Sequence, residues 1–309
     1  MPVLPAQPGK RPAPINRRST RMTRYIPLLF VLLWSTGFIG AKFGLPYAEP
    51  FTMLGWRMLF VVPLFLFLAL LLRRPALNLR DAGIQCLVGL LIHGAYLGGV
   101  FAAIDIGVPA GLSALIVSLN PLLIAALSGM VLNRPTRRLE WLALSLGLAG
   151  VVIVLIGASS WEGVVTPAGL GWLVFALAGI CIGTLLQKRY AEQVDLFSGS
   201  AWQYSAALLF FLGMSWLTET REVEWSLTFV LTLGWLIIVL SLVTVLLLLY
   251  MIRHGEATRV SSYFYLVPPL AAFQGWLFFD EPWSWGTLSG AALVILSLLL
   301  YKSAQNPRA

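Results

Sequence analysis

Long apolar runs alternate along the chain with short links that carry charge, proline or glycine. A run of about twenty residues is what a ~30 Å hydrocarbon core demands at 1.5 Å per residue. The pattern predicts ten helices, over residues 24–44, 51–72, 81–104, 109–132, 139–157, 167–190, 197–217, 229–252, 257–279 and 285–301. No shorter alternating period interrupts them, so the expected fold is an all-α membrane protein of ten transmembrane helices. One run is conspicuous. In VSLNPLLIAAL, residues 117–127, an amide (Asn120) and a proline (Pro121) stand side by side in an otherwise apolar stretch.

Composition sharpens this reading. Of the 309 residues 59% are hydrophobic and 11% charged, and mean hydropathy is +0.84. Soluble domains carry about 25% charge, which excludes an ordinary soluble fold. The net charge of +8 is distributed as a topology signal. Of the 21 Lys and Arg residues, 18 fall on one set of helix ends, from the basic tail and Arg73, Arg74 and Arg80 through Arg134, Lys188, Arg189 and Arg253 to Lys302. The opposite ends hold Arg221 among Glu49, Asp105, Glu162, Glu219, Glu222, Glu224, Asp280 and Glu281. By the positive-inside rule both termini are cytoplasmic, as in a bacterial-type inner (plasma) membrane protein, and the basic residues do not mark a nucleic-acid surface. Residues 1–23 read as a basic cytoplasmic tail rather than a cleaved signal, and 303–309 as a second short tail. Cys86 and Cys181 lie inside apolar runs, so neither a disulfide framework nor a metal site is indicated, and no cofactor is called for.

The two halves match in register. Lys42 falls on Lys188, Phe51 on Phe197 and Trp56 on Trp202, an offset of 146 positions; Leu119, Pro121 and Pro135 fall on Leu266, Pro268 and Pro282 at 147. Residues 24–157 and 167–302 are thus expected to be two repeats of five helices. An odd number inverts the second repeat, a plan under which secondary transporters bind substrate near the midplane between halves.

The stretch WSTGFIGAKFGLPYAEPFTMLGWRMLF resembles the start of an EamA-type repeat. So does a mid-helix proline followed by a polar turn and a Gly/Trp-bearing helix, at Pro121, Asn133-Arg134-Pro135 and Glu140-Trp141, and again at Pro268, Asp280-Glu281-Pro282 and Gly286. The chain is therefore identified as similar to the ten-helix EamA branch of the drug/metabolite transporter superfamily over roughly residues 24–301. The resemblance implies movement of small organic solutes, often amino acids or related metabolites and often outward. The family's glutamate at the end of the fourth and ninth helices is kept at Glu281 but replaced by Arg134 in the first repeat. The first-helix glutamate of small multidrug antiporters is absent, which disfavours proton-coupled export of lipophilic cations.

Polar groups inside the membrane are costly and therefore nominate the site. Asn120 lies about 17 Å from its helix start, near the middle of the core, at the level of His93 and Trp34. His93 and Tyr96 share a face. Tyr263 and Gln274 belong to a stripe with Val267, the repeat partner of Asn120. Arg57, whose partner is Gln203, sits about 9 Å into the second helix; it either pairs with Asp105 or Glu49 as a gate or receives an anionic substrate group. The substrate-binding candidates are Trp34, Arg57, His93, Tyr96, Asn120, Tyr263 and Gln274, and His93 is the candidate proton carrier. Pro63, Pro121, Pro268 and Pro269 are the candidate hinges, each expected to kink its helix. Lys42 and Lys188 are explained by snorkelling. Gly40/Gly44, Gly179/Gly183 and Gly286/Gly290 permit close helix packing, the last pair offering a homodimer face.

No hydrolase, ATPase or redox motif is present, which points away from an enzyme. Three readings remain at this stage: a transporter of a small metabolite, a transporter of a sugar or phosphorylated solute, and a non-transporting scaffold or receptor on the same fold.

Overall fold

A computed structural model describes residues 25–131, 137–157, 166–190, 193–253, 266–281 and 284–305. Within these the chain is helical, with one isolated bridge between Ala48 and Val223. In order the helices are α1 (Ile26–Gly44), α2 (Pro50–Leu71), α3 (Leu79–Gly89), α4 (Tyr96–Asp105), α5 (Ala110–Val117), α6 (Asn120–Val131) and α7 (Arg138–Gly157). They continue with α8 (Pro167–Tyr190), α9 (Leu196–Thr218), α10 (Leu227–Gly234), α11 (Thr244–Arg253), α12 (Val267–Phe279) and α13 (Trp285–Gln305). Two π-helical turns, π1 (Leu90–Ala95) and π2 (Trp235–Val243), join α3 to α4 and α10 to α11. Six stretches are long and apolar enough to cross a bilayer: Ile26–Gly44, Pro50–Leu71, Leu79–Asp105, Arg138–Ile156, Pro167–Tyr190 and Leu227–Leu247; Ala110–Ile124, Val267–Phe279 and Leu288–Ser303 are shorter apolar helices.

Local sequence sets the boundaries. Prolines open α1 and α2 in the first turn, where no backbone donor is lost. Side chains cap three other starts: Asn78 accepts from Asp81 N, Asp195 from Phe197 N and Ser198 N, and Ser226 from Phe229 N. Gly107 at φ 99° turns the chain between α4 and α5, a backbone conformation that favours glycine.

The expected kinks take a different form. The fourth predicted helix is two: α5 ends at Val117, residues 118–119 turn, and α6 begins at Asn120. Pro121 is the second residue of α6, and Pro268 and Pro269 stand in the first turn of α12, so none of the three sits in a helix interior. A first-turn proline neither breaks a hydrogen bond nor clashes with an earlier carbonyl, which is why the chain restarts there instead of bending. Pro63 lies inside α2, which continues through it. Tyr263, Arg134, Pro135, Pro282 and the tail 1–23 lie outside the described residues.

The bundle has an apolar interior that also buries polar groups, and an apolar exterior. Leu70, Leu209, Trp216 and Leu227 are among many large apolar side chains left exposed, while Ser35, Thr52, Arg57, Gln85, Gln203, Gln274 and Glu281 are buried. A surface of that kind suits lipid and would aggregate in water. α7 packs along α13, α2 along α9, and α5 against α12; α8 lies on π1 and α4, and α1 on α10 and α11. Glycines set the closest approaches. A Cβ on Gly290 would fall 2.5 Å from Gly150 O, so Gly290, expected on a homodimer face, is spent on its own chain. Gly179 and Gly183 seat α8 against π1.

Candidate functional site

A cavity of about 200 Å³ lies in the middle of the bundle. Four elements bring the sequence-predicted residues to it: α1 with Trp34, α2 with Arg57, π1 with His93 and α4 with Tyr96. α9 supplies Ser200, Gln203 and Tyr204 on the other side. π-turns rotate side chains out of the regular helical register and are frequent at functional sites. Here π1 presents His93, whose ring stacks on Tyr204 at 4.3 Å between centroids and 26° between planes. π2 presents Ser241, whose hydroxyl donates to Leu236 O across a π-type spacing at 3.1 Å.

Arg57 is the cavity's cation. It is 6% exposed, and its Nε and Nη2 donate to Ser241 Oγ at 3.2 and 3.0 Å. A guanidinium carries five N–H donors, so this contact leaves several for another partner. Among the described residues Arg57 is in no ion pair. The gate pairing considered for it is taken up elsewhere: Glu49 accepts from Thr220 N, Thr220 Oγ1 and Arg221 N. Beyond the wall, Gln203 Nε2 donates to the buried Gln85 Oε1.

Toward the ends that carry Glu49, Glu219 and Glu281, here the acidic end, the bundle is clasped. Glu281 accepts from Lys42 Nζ at 2.7 Å and from Ala110 N and Gly111 N at 2.8 and 3.3 Å. Lys42 thus has a specific carboxylate partner, and snorkelling is not needed to explain it. Glu219 likewise accepts from Phe51 N, Thr52 N and Thr52 Oγ1 at the start of α2. Toward the ends that carry Arg74 and Arg189, the basic end, the cavity lining runs on to Gln187 in the last turn of α8 and Leu196 at the start of α9.

Two predicted binding residues do not line the cavity. Gln274 exchanges hydrogen bonds with Ser35 of α1 at 3.1 and 3.3 Å, and Asn120 Oδ1 accepts from Cys181 Sγ of α8 at 3.1 Å. Both act as links between helices. Asn120→Ala is accordingly expected to cost about 1 kcal/mol of stability while leaving ligand affinity within a factor of about two. Thermal unfolding and binding measured on the same preparation separate the two. A tenfold affinity loss at unchanged stability would return Asn120 to the site. Ser241, Gln85, Ser200 and Tyr204 were not singled out by sequence, although Ser241 carries the signal that exposed Asn120, a lone polar group in an apolar run.

A lipid-compatible bundle, helical over the described residues, around a cavity with an apolar wall and a buried arginine is the form of a membrane transporter. The chain belongs to the EamA-like transporter family, whose model matches residues 25–156 and again 167–302. It is 25% identical over 279 residues to the uncharacterized transporter YvbV of Bacillus subtilis (strain 168), covering 90% of each chain. It is 24% identical over 291 residues to a probable amino-acid metabolite efflux pump of Salmonella typhimurium (91% of this chain, 95% of that one). It is 28% identical over 294 residues to an S-adenosylmethionine/S-adenosylhomocysteine transporter of Chlamydia trachomatis (90% and 88%). A solved crystal structure at 16% identity matches with a TM-score of 0.62 over 92% of this chain and 98% of that one, a likeness of fold.

Proposed function

We propose that the protein is a secondary transporter that moves a small organic metabolite across the inner membrane by alternating access. Its frame is ten helices arranged as two inverted five-helix repeats, with both termini on the cytoplasmic, basic side. The observation that carries the reading is Arg57: a buried guanidinium at a central cavity, held by a serine, with donors to spare and, among the described residues, no carboxylate on it. Burying such a charge is costly unless a partner arrives, and a substrate is a partner that comes and goes. Trp34, His93 and Tyr96 enclose the rest of the solute.

Internal equivalences support the repeats. Shifted by 146 positions, π1 falls on residues 236–241, inside π2. The same shift carries Ser35 onto Cys181, and these two make the α1–α12 and α8–α6 links. Asn120 and Val267, partners at 147, are each the first residue of their helix. The clasp at Glu281 and the lining toward Gln187 support a state closed at the acidic end and entered from the basic end.

A cavity of about 200 Å³ favours a solute of amino-acid size over the nucleoside-sized one named for the Chlamydia relative. An engineered cavity of about 150 Å³ holds benzene, which sets the scale.

The test is counterflow in proteoliposomes loaded with a mixture of amino acids and small carboxylates, with and without a pH gradient. Saturable exchange that Arg57→Ala abolishes is expected. Exchange that is absent for every solute, or unaffected by Arg57→Ala, would overturn the reading. His93→Ala checks proton coupling, since gradient-driven flux that survives it removes the histidine as carrier.

A further inference from the structure

We infer that the cavity selects a singly charged organic anion with an apolar body, and rejects zwitterions and cations of the same shape. The inference rests on the transport reading and deepens it. Its basis is a charge count around the cavity. Arg57 is the one side chain of fixed charge among the described lining residues, and none of those residues is an aspartate or glutamate. An amino acid brings an ammonium as well as a carboxylate, and the ammonium needs an anionic or strongly polar receiver once water is removed.

Of the acidic-end carboxylates Asp105, Glu49, Glu219 and Glu281, none lines the cavity; Asp105, at the end of α4, faces Glu219 and Glu49. The other three are committed. Glu281 is held by Lys42 and the first amides of α5, Glu219 by the start of α2, and Glu49 by the backbone at Thr220 and Arg221. Each already satisfies backbone donors that have no other described partner, so moving one to a substrate ammonium would strip the start of α5 or α2, or the turn that follows α9. Arg57 has the opposite balance: Ser241, fixed by its own bond to Leu236 O, aims the guanidinium without neutralising it. A carboxylate is the planar acceptor that matches a guanidinium fork, and its arrival brings the charge of the site to zero. Away from Arg57 the wall is ring and aliphatic surface from Trp34, Phe38, Leu97 and Phe101. That lining suits an apolar body; the polar groups that share the wall, His93, Tyr96, Ser200, Gln203 and Tyr204, are neutral and give a second charge no counter-ion.

The experiment uses the full chain in lipid nanodiscs and three probes that share one phenylethyl group: 3-phenylpropionate (anion), phenylalanine (zwitterion) and 2-phenylethylamine (cation). Binding is read by tryptophan fluorescence and by thermal shift. An unpaired buried charge is penalised by a few kcal/mol in binding, so the anion is expected to bind at least ~30-fold more tightly than phenylalanine. The amine should give no saturable response. Arg57→Gln should remove the preference, and Arg57→Lys should weaken it while keeping the order. Ser241→Ala, which leaves the charge and loosens its aim, should cost the anion about 3- to 10-fold with the order intact; it stands in if Arg57→Gln fails to fold.

Equal or tighter binding of phenylalanine or the amine, a preference that survives Arg57→Gln, or no binding of any probe would overturn the inference. The transport reading fails separately. Exchange of zwitterions in proteoliposomes alongside weak binding of 3-phenylpropionate would leave a transporter of another substrate class. Tight anion binding with no exchange of any solute would keep the site and remove the transport.

Discussion

Glu281→Leu is expected to lower the stability of the purified protein by about 3 kcal/mol and to admit a thiol reagent to the cavity from the acidic end. The energy follows from what the carboxylate holds. Two amides at the start of α5 lose their acceptor in a buried place, at about 1–3 kcal/mol for each unsatisfied group. Lys42 loses its partner too, but its side chain is 31% exposed and water compensates much of that. Glu281→Gln keeps an acceptor for the amides and drops the charge, so it should cost about 1 kcal/mol. For accessibility, a cysteine at position 101, on the cavity wall in α4, is placed in a chain whose Cys86 and Cys181 are serine. It should react slowly from the acidic side in the parent and at least tenfold faster in Glu281→Leu. Unchanged labelling would show that the clasp does not close this end. A cost for Gln equal to that for Leu would assign the stability to the ion pair instead of the helix start.

Gly89→Ala is expected to cost roughly 3 kcal/mol or more and to abolish ligand binding in whatever protein still folds. A methyl at Gly89 would lie 2.3 Å from Gln203 O and 2.5 Å from its Cα, and backbone of a packed helix cannot yield as a side-chain tip does. α3 and α9 must separate, which displaces Gln203 from Gln85 and Tyr204 from His93. Two controls isolate the cause. Gly213 has nothing within 4 Å, so Gly213→Ala should be neutral or mildly stabilising through helix propensity. Gly290→Ala drives a methyl into Gly150 O on the α7–α13 pair, whose residues do not line the cavity; stability should fall while affinity holds. Binding that survives Gly89→Ala would mean that the α3–α9 contact does not shape the site.

The sequence made some of these features readable and hid others for physical reasons. Helix positions and the charge alternation were legible because a bilayer imposes length and polarity on every span. That Arg57, His93, Tyr96 and Trp34 line one cavity was legible because a polar or amphipathic group in an apolar run is expensive when it faces lipid. The π-turns were not. Where all but one residue of a run are apolar, as in WLIIVLSLV, a change from 3.6 to a wider repeat leaves no mark on the hydropathy pattern. Ser241 interrupts its run as Asn120 does, but its bond to Arg57 joins residues 184 positions apart, a distance no local pattern encodes. The prolines misled in an instructive way. Helix-forming sequence on both sides of Pro121 suggested one bent helix, when the turn at 118–119 had already ended the first and made the proline harmless.

The α1–α12 and α6–α8 links are not equal in strength. Ser35 and Gln274 hold α1 to α12 through hydroxyl and amide groups, reinforced by Lys42 on Glu281, whereas Cys181 and Asn120 hold α6 to α8 through a thiol, a weak donor. Both links are made in one conformation, so their inequality sets where the bundle yields first. The α6–α8 seam, closed by the weaker donor, should part before the α1–α12 seam as the protein is warmed, and a single sulfur thereby marks the weak joint of the bundle.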